Sequence, residues 1–171
     1  FIIFCLASGS VYLLNDLKDR KKDRFHPLKQ LRPIASGQLG TIPAIAASIV
    51  LGALSIGLAA GINFWLVTIV FIYILLHLLY TLRLKQEVIL DVIIIALGFE
   101  LRIWGGGITV GIVPSIWLQL CVFLLALFLG LLKRRNEKMS LYKDAAKHRE
   151  VLTHYKVYFL DQLVMISATL C

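Results

Sequence analysis

Three aspartates recur at helical spacing near the start of the sequence. Asp16, Asp19 and Asp23 stand at i, i+3 and i+7, so a helix that continues through them places all three on one face. Three like charges on one face repel each other unless a cation lies among them. Mg²⁺ is the natural candidate, because it prefers oxygen ligands and is usually held by one or two carboxylates together with substrate phosphates. We therefore predict these three residues as metal ligands and as the catalytic centre.

Cationic side chains are interleaved with the aspartates and follow them. In a Mg²⁺-dependent site they would face the remaining oxygens of a diphosphate. Asn15 precedes Asp19 by one helical turn and joins the same group. The cations of this first cluster are Arg20, Lys22, Arg24, Lys29 and Arg32. A solvated, mixed-charge helix end would also explain the pattern, but the cluster abuts apolar sequence on both sides, and at a membrane surface such density favours a site.

Composition predicts an integral membrane protein. The chain has 171 residues, 59% of them hydrophobic, a formal charge of +8 and a mean hydropathy of +0.83. It is too apolar for a soluble domain and too segregated for a disordered chain. Both ends lie inside apolar runs, so we expect one transmembrane helical domain over 1–171, truncated at both ends. The three cysteines and four histidines lack the spacing of a zinc or redox site.

Uncharged stretches predict the membrane spans. No Asp, Glu, Lys or Arg occurs from Pro33 to Leu82, a length that fits two spans joined by a turn at 61–63. Glycines 105–107 and Pro114 interrupt a second uncharged stretch, so we predict a helix end at these glycines. The fold class is therefore all-α, a multi-pass transmembrane helix bundle of about six spans. We place the spans near 1–18, 41–60, 64–82, 87–104, 116–133 and 157–171.

Alternate loops differ in charge. Loops 19–40, 83–86 and 134–156 hold nearly all of the Lys and Arg, which makes their side cytoplasmic by the positive-inside rule. Charged clusters at these helix ends could converge on one pocket. The second and third clusters supply the further substrate-binding candidates Tyr80, Lys85, Lys133, Arg134, Arg135 and Glu137. Taken singly, each cluster also fits interfacial anchoring or attraction to anionic lipid.

Three ionisable residues lie along the fourth predicted span. Such residues are costly in a membrane and are functional hypotheses by default. Asp91, one turn inside the span, is a candidate for the pocket. Glu100 lies on the order of 20 Å along the helix, too deep for a site at the cytoplasmic surface. We expect Arg102 to reach the far interface or to pair with Glu100.

The first cluster resembles the first aspartate-rich motif of UbiA-type intramembrane prenyltransferases, through Asn15-Asp16-x-x-Asp19-x-x-x-Asp23 at the end of an apolar helix. The overlapping stretch Asp23-Arg24-x-His26-Pro27-x-Lys29-x-x-Arg32-Pro33 looks like the decaprenyl-phosphate phosphoribosyltransferase branch of that family. Segments 84–102, 127–137 and 149–162 resemble the same branch. The resemblance implies a UbiA-like bundle and adds His26 to the substrate-binding candidates.

The resemblance also implies a reaction. It is the Mg²⁺-dependent transfer of phosphoribosyl from phosphoribosyl pyrophosphate to a polyprenyl phosphate, with release of pyrophosphate, for cell-envelope precursor synthesis. Classical members of the superfamily carry a second aspartate-rich motif where this chain has the basic segment 133–137. Cations there suit phosphate oxygens directly and favour a donor with an additional phosphate. We expect a prokaryotic cell membrane as the location and no nucleic-acid partner, and the sequence leaves open a homo-oligomer.

Two other functions fit the same sequence. A UbiA-type prenyltransferase would use the same Mg²⁺ motif to move a prenyl group from a prenyl diphosphate to an aromatic or other acceptor. A non-catalytic membrane protein could bind or move anionic lipids through the basic face. The carboxylates discriminate between catalysis and simple lipid binding, because a basic lipid site would tolerate their replacement by amides.

Overall fold

A computed structural model describes residues 1–25, 29–87, 89–140 and 157–170. Within these ranges the chain is all-helical and contains no strand, which confirms the predicted fold class. Short 3-10 helices at Lys29–Leu31 and Leu84–Gln86 accompany the α-helices. The α-helices of the described residues are α1 (Ile2–Asp23), α2 (Pro33–Ser36), α3 (Thr41–Ala60), α4 (Phe64–Leu82), α5 (Leu90–Val110), α6 (Ile116–Ser140) and α7 (Val157–Leu170).

Four of these helices, α3 to α6, are long and apolar enough to cross a membrane. This count for the described residues is lower than the predicted six. Helix α1 falls short because its second half carries Asp16, Lys18 and Asp19, and α7 is apolar but has only 14 residues. The chain is an integral membrane protein, and the outer faces of its spans expose large apolar side chains such as Trp65, Phe71 and Leu118.

The predicted bounds of the second and third spans are confirmed. Helix α3 ends at Ala60 and α4 begins at Phe64. Between them, the Asn63 side chain accepts a hydrogen bond from the backbone N–H of Trp65 at 2.9 Å and so caps α4. The absence of charge and the short polar turn were sufficient signals for this helical hairpin.

The helix end predicted at glycines 105–107 is wrong. Helix α5 continues through them and ends at Val110. Gly111 caps it, with a φ of 71° in the left-handed conformation that favours glycine. Gly105 serves packing instead. A Cβ there would lie 2.5 Å from the Phe4 ring, so glycine allows α1 to approach α5 closely.

Helices α1 and α6 both extend beyond the predicted spans. Helix α1 includes all three aspartates, as their periodicity predicts. Helix α6 runs on to Ser140, through residues 134–140 that we assigned to a loop, because charged residues without proline continue a helix readily. The rest of that predicted loop, 141–156, lies outside the described residues.

Small and polar residues hold the bundle together between its long helices. The Ser10 and Ser48 side chains bond across the α1–α3 interface, and the Ser55 hydroxyl donates to the Ile3 carbonyl oxygen at 2.9 Å. A core of Ala7, Val11, Val70 and Tyr73, among others, joins α1 to α4. Val92, Leu131 and Leu160 pack together and link α5, α6 and α7. Close helix approach through small residues is typical of membrane bundles.

Candidate active site

A polar cavity of about 420 Å³ lies between α1, α4, α5 and α6. It brings together residues that are far apart in sequence, from all three predicted charged clusters. The predicted site residues that line it are Asn15, Asp16, Asp19, Asp23, Lys29, Arg32, Tyr80, Lys85, Lys133, Arg134 and Glu137. Lys22, which the sequence analysis grouped with the first cluster, lines it too. The charged helix ends therefore converge on one pocket, as their charge distribution predicted.

The three aspartates are each paired with a cation across the cavity wall. The Arg32 guanidinium donates to Asp16 at 2.7 Å and to Asp23 at 3.0 Å. Lys85 donates to Asp19 at 2.5 Å and to the Asn15 side-chain oxygen at 3.3 Å. Arg32 thus pairs with two aspartates of its own cluster, and Lys85 of the second cluster pairs with the third. Both cations lie where they could exchange a carboxylate for a phosphate.

Asp23 is the most buried of the three carboxylates, with 8% of its side chain exposed against 27% for Asp16. Burial raises the pKa of the Asp23 carboxyl above its ordinary value, and the nearby Arg32 guanidinium partly opposes that shift. A second cation at this site would therefore favour the charged form of Asp23.

The carboxylates fit a Mg²⁺ site that a phosphate ligand completes. Among the described residues, no three His, Cys, Asp or Glu side chains lie close enough to hold a metal ion by themselves. Mg²⁺ does not require such a cage, since it commonly takes one or two carboxylates, waters and substrate phosphates. The donor set of Asp16, Asp19 and Asp23 along one face of α1 has the oxygen chemistry that this ion prefers.

The α6 side of the cavity combines Lys133, Arg134 and Glu137. Glu137 accepts a hydrogen bond from Arg134 at 2.5 Å, and its carboxylate lies 3.8 Å from the Lys29 ammonium. Arg134 also lies 3.4 Å from Asp91, which is completely buried. Asp91, expected as a pocket residue, instead holds the cavity-lining Arg134 from behind.

Three predicted residues lie away from the cavity lining. Arg20 donates to the Thr41 hydroxyl at 3.1 Å, and Arg24 donates to the Ala35 carbonyl oxygen at 3.1 Å. Arg135 forms an ion pair with Asp161 of α7. Each directly follows a cavity-lining residue in a helix or its end, so a rotation of about 100° carries it to another face. His26 lies outside the described residues.

The sequence model of the UbiA prenyltransferase family matches residues 1–152 of the chain. The chain belongs to the UbiA family. The cavity-lining aspartates, Tyr80, Lys85 and the α6 cations all fall inside the matched region. The family resemblance carried by the aspartate-rich pattern is thereby confirmed.

Two curated relatives of this UbiA chain carry the name decaprenyl-phosphate phosphoribosyltransferase. The protein from Mycolicibacterium smegmatis is 35% identical over 173 residues, with 99% of this chain and 53% of the relative covered. The protein from Corynebacterium glutamicum is 35% identical over 171 residues, with 99% and 52% covered. The chain thus spans about half the length of the curated relatives it matches.

Solved structures of a UbiA homologue from Archaeoglobus fulgidus share the fold. The homologue bound to GPP and Mg²⁺ superposes with a TM-score of 0.82 at 23% identity, covering 99% of this chain and 62% of the homologue. The homologue bound to DMAPP and Mg²⁺ gives a TM-score of 0.81 at 21% identity, covering 99% and 60%. At this identity the likeness establishes the UbiA architecture.

The UbiA cavity also contains residues that the sequence analysis missed. His77 lines it and lies between Tyr73, in a tilted ring contact at 4.4 Å, and Tyr80, in an edge-to-face contact at 6.4 Å. These three residues stand at i, i+4 and i+7 in α4, so their shared face was available as a signal. A Cβ on Gly98 would lie 2.6 Å from His77 Nε2, so this glycine gives the imidazole its room.

Arg102 was assigned to the wrong partners. It lines the inner end of the cavity, where it donates to the Tyr73 hydroxyl at 2.7 Å and to the Ser8 hydroxyl at 2.9 Å. Glu100 lies apart from it, and among the described residues its Oε1 atom is buried with no hydrogen-bond partner. The position of Arg102 inside a predicted span marked it as a functional candidate. The direction of its side chain depends on the neighbouring helices.

Proposed function

We propose that this chain forms the catalytic region of a Mg²⁺-dependent transferase. The enzyme moves phosphoribosyl from phosphoribosyl pyrophosphate to a polyprenyl phosphate and releases pyrophosphate. The observation that carries the proposal is the pairing of the three α1 carboxylates with Arg32 and Lys85 across a cavity whose opposite wall is basic. The decaprenyl-phosphate phosphoribosyltransferases that match 99% of the chain support this choice of donor and acceptor.

The charge arrangement supports a donor with several phosphates. Mg²⁺ would be held by Asp16, Asp19 or Asp23, and when bound it would stabilise negative charge on a leaving pyrophosphate. Release of the carboxylates to the metal would free Arg32 and Lys85 to bind phosphate oxygens. Lys133 and Arg134 lie on the other wall of the cavity. At that place the resemblance to classical UbiA-type prenyltransferases would imply a second acidic motif, and the cations here suit phosphate oxygens instead.

The reaction needs positioning more than it needs a base. As pyrophosphate leaves the ribose C1, positive character grows on the sugar and negative charge grows on the leaving group. Fixed cations around that group stabilise the transition state more than the ground state. The acceptor phosphate is already anionic, so no side chain of the cavity has to remove a proton from it.

The proposed orientation places the cavity at the cytoplasmic face of a prokaryotic cell membrane. Its end of the bundle carries the basic residues of α1, of the segment 83–85 after α4, and of α6, whereas the turn at 61–63 and the segment 111–115 at the other end carry no charge. A soluble, charged donor would then enter from the cytoplasm, and the lipid acceptor would approach from the bilayer.

The test is a transfer assay in membranes that contain the complete gene product. Membranes receive Mg²⁺, a polyprenyl phosphate and radiolabelled phosphoribosyl pyrophosphate, and the label in the lipid phase is counted. We expect label in lipid with the wild type, loss of at least about 100-fold with Asp19→Asn, and no transfer after chelation of Mg²⁺. Asp161→Asn is the matched control, because it makes the same chemical change outside the cavity.

The alternatives predict different results in the same membranes. Turnover of a prenyl diphosphate, without transfer of ribosyl label, would assign the chain to prenyl transfer. Binding of anionic lipid that survives both Asp16→Asn and Asp19→Asn, with no turnover of either donor, would contradict catalysis altogether.

A further inference from the structure

A second cavity, of about 680 Å³, adjoins the polar one. It lies between α1, α4 and α5, and its lining is mostly apolar, with Ile3, Phe4, Leu66 and Val110 among its walls. Tyr12 and Arg102 line both cavities. The junction between a polar and an apolar chamber is therefore marked by a single guanidinium and a phenol among the described residues.

Arg102 is held at this junction by neutral groups. Its Nη2 atom makes both hydrogen bonds, to the hydroxyls of Ser8 and Tyr73. The guanidinium lies 5.3 Å from the centre of the Tyr73 ring and 5.0 Å from that of Phe99, both within cation–π range. No carboxylate in the described part of the chain forms an ion pair with it.

The positive charge of Arg102 at this junction favours an anionic ligand. Within a membrane bundle an ionisable side chain is expensive, and it normally pairs with a counter-charge or marks a ligand path. The guanidinium has five N–H donors, and the two hydrogen bonds made by Nη2 leave the N–H groups of Nη1 and Nε, which lie on different edges, each available to an oxygen of an oxyanion. Ser8 and Tyr73 fix the orientation of the fork before any ligand arrives.

The height of Arg102 relative to the aspartates selects the ligand. Arg102 bonds Ser8, and Asp16 follows Ser8 by eight residues of α1, or about 12 Å along the helix. The apolar cavity extends from Arg102 away from the aspartates, toward Phe1 and Val110. A ligand that fits both chambers has a negative head group at Arg102 and a long apolar chain beyond it.

We propose that Arg102 binds the phosphate of the lipid acceptor, with the apolar chain in the second cavity. This inference rests on the proposed function for its meaning in catalysis. In the reaction, an oxygen of the lipid phosphate forms a bond to C1 of the ribose while the bond from C1 to pyrophosphate breaks. Pyrophosphate leaves with the electron pair toward the aspartate side, so nucleophile and leaving group stand on opposite sides of the sugar.

The direct test is ligand binding, without donor and without Mg²⁺, to the complete protein in nanodiscs. Farnesyl phosphate, farnesol and inorganic phosphate serve as probes. We expect the wild type to bind farnesyl phosphate about tenfold more tightly than farnesol. We expect Arg102→Gln to abolish this preference while it retains farnesol binding, which shows that the variant is folded. Glu100→Gln, two residues away and outside both cavities, should keep the preference.

Chemical modification tests the wild type without any variant. Phenylglyoxal modifies accessible arginines, and its rate at Arg102 can be followed by peptide mass spectrometry. Farnesyl phosphate should slow that modification at least fivefold, whereas farnesol should not. Equal protection by inorganic phosphate at the same concentration would mean that a free anion site, rather than a lipid head-group site, lies here and would overturn the proposal.

Kinetics separate this proposal from the proposed function. In the transfer assay, Arg102→Gln should raise the KM for polyprenyl phosphate about tenfold and leave the KM for phosphoribosyl pyrophosphate within twofold. A rise in the donor KM alone would overturn the assignment of Arg102 to the acceptor. A binding preference that depends on Arg102, in a protein without ribosyl transfer, would support the lipid-phosphate site and contradict the proposed function.

Discussion

Two sets of carboxylate–cation pairs lie at the same end of the bundle and differ in their access to the cavity. Asp16 and Arg32 keep 27% and 39% of their side chains exposed, whereas Asp91 and Arg134 keep 0% and 2%. An accessible pair can exchange its partner for a ligand at little expense. A buried pair cannot, because removing one member leaves a desolvated charge.

An ion pair between a carboxylate and a cation therefore does not by itself identify a catalytic residue. Asp91 carries the same carboxyl group as Asp16, yet its position behind Arg134 makes it a support for the α6 wall. Burial decides which carboxylate a metal ion or a phosphate-bearing substrate could reach. Substitutions in the two sets should therefore differ in whether they change stability or turnover.

Replacing the buried carboxylate should destabilise the fold most. Asp91→Asn removes the fully buried carboxylate beside Arg134 and leaves only Glu137 as its counter-charge. We expect the free energy of unfolding to fall by about 3 kcal/mol. Detergent-titrated unfolding of the purified complete protein measures this loss. The double variant Asp91→Leu with Arg134→Met should recover much of it, since a well-packed apolar pair avoids desolvation. A loss below about 1 kcal/mol would place Asp91 in the exchangeable class.

Replacing an accessible carboxylate should act on turnover and hardly on stability. Asp16→Asn is expected to lower the transfer rate about 100-fold, or about 2.7 kcal/mol of transition-state stabilisation. The free energy of unfolding should change by less than about 1 kcal/mol, because the Asp16–Arg32 pair is partly exposed. Transfer assays and unfolding curves on the same preparation check both halves. A rate within threefold of the wild type would remove Asp16 from the centre.

Separating α5 from α6 should weaken the buried pair without touching a charge. A Cβ on Gly130 would lie 2.5 Å from Val92 Cγ1. Val92 directly follows Asp91 in α5, and Gly130 precedes Arg134 by one turn of α6. We expect Gly130→Ala to reduce the free energy of unfolding by about 1 to 3 kcal/mol through overpacking. Gly57→Ala is the control, because a Cβ there meets no atom within 4 Å; it should be neutral or slightly stabilising. Equal effects of the two variants would contradict the close approach.

A cation of the motif that faces away from the cavity should matter least. Arg20→Ala removes a hydrogen bond to the exposed Thr41 hydroxyl. We expect a change in unfolding free energy of at most about 0.5 kcal/mol and a transfer rate within twofold of the wild type. Arg32→Ala, measured beside it, should reduce transfer strongly because Arg32 contacts two of the aspartates. Similar losses of transfer rate in both variants would contradict the assignment of Arg20 to a face outside the site.

The amino-acid pattern was enough to predict the fold class, the hairpin of α3 and α4, and the shared face of the three aspartates. These features follow from local rules: uncharged length sets a span, a polar turn ends it, and a 3.6-residue period fixes which side chains lie together. The same rules explain why Arg20 and Arg24, each one position after an aspartate, turn to other partners. Their grouping with the aspartates followed from charge alone, without the helical period.

The roles of Asp91, Arg102 and Gly105 could be read only from the packed helices. Each depends on a neighbour distant in sequence: Arg134 for Asp91, Ser8 and Tyr73 for Arg102, and the Phe4 ring for Gly105. Within an apolar span a charged or small residue carries no local signal for direction, because water does not define an outer face. The packing of the other helices supplies that direction, and with it the difference between a support and a site.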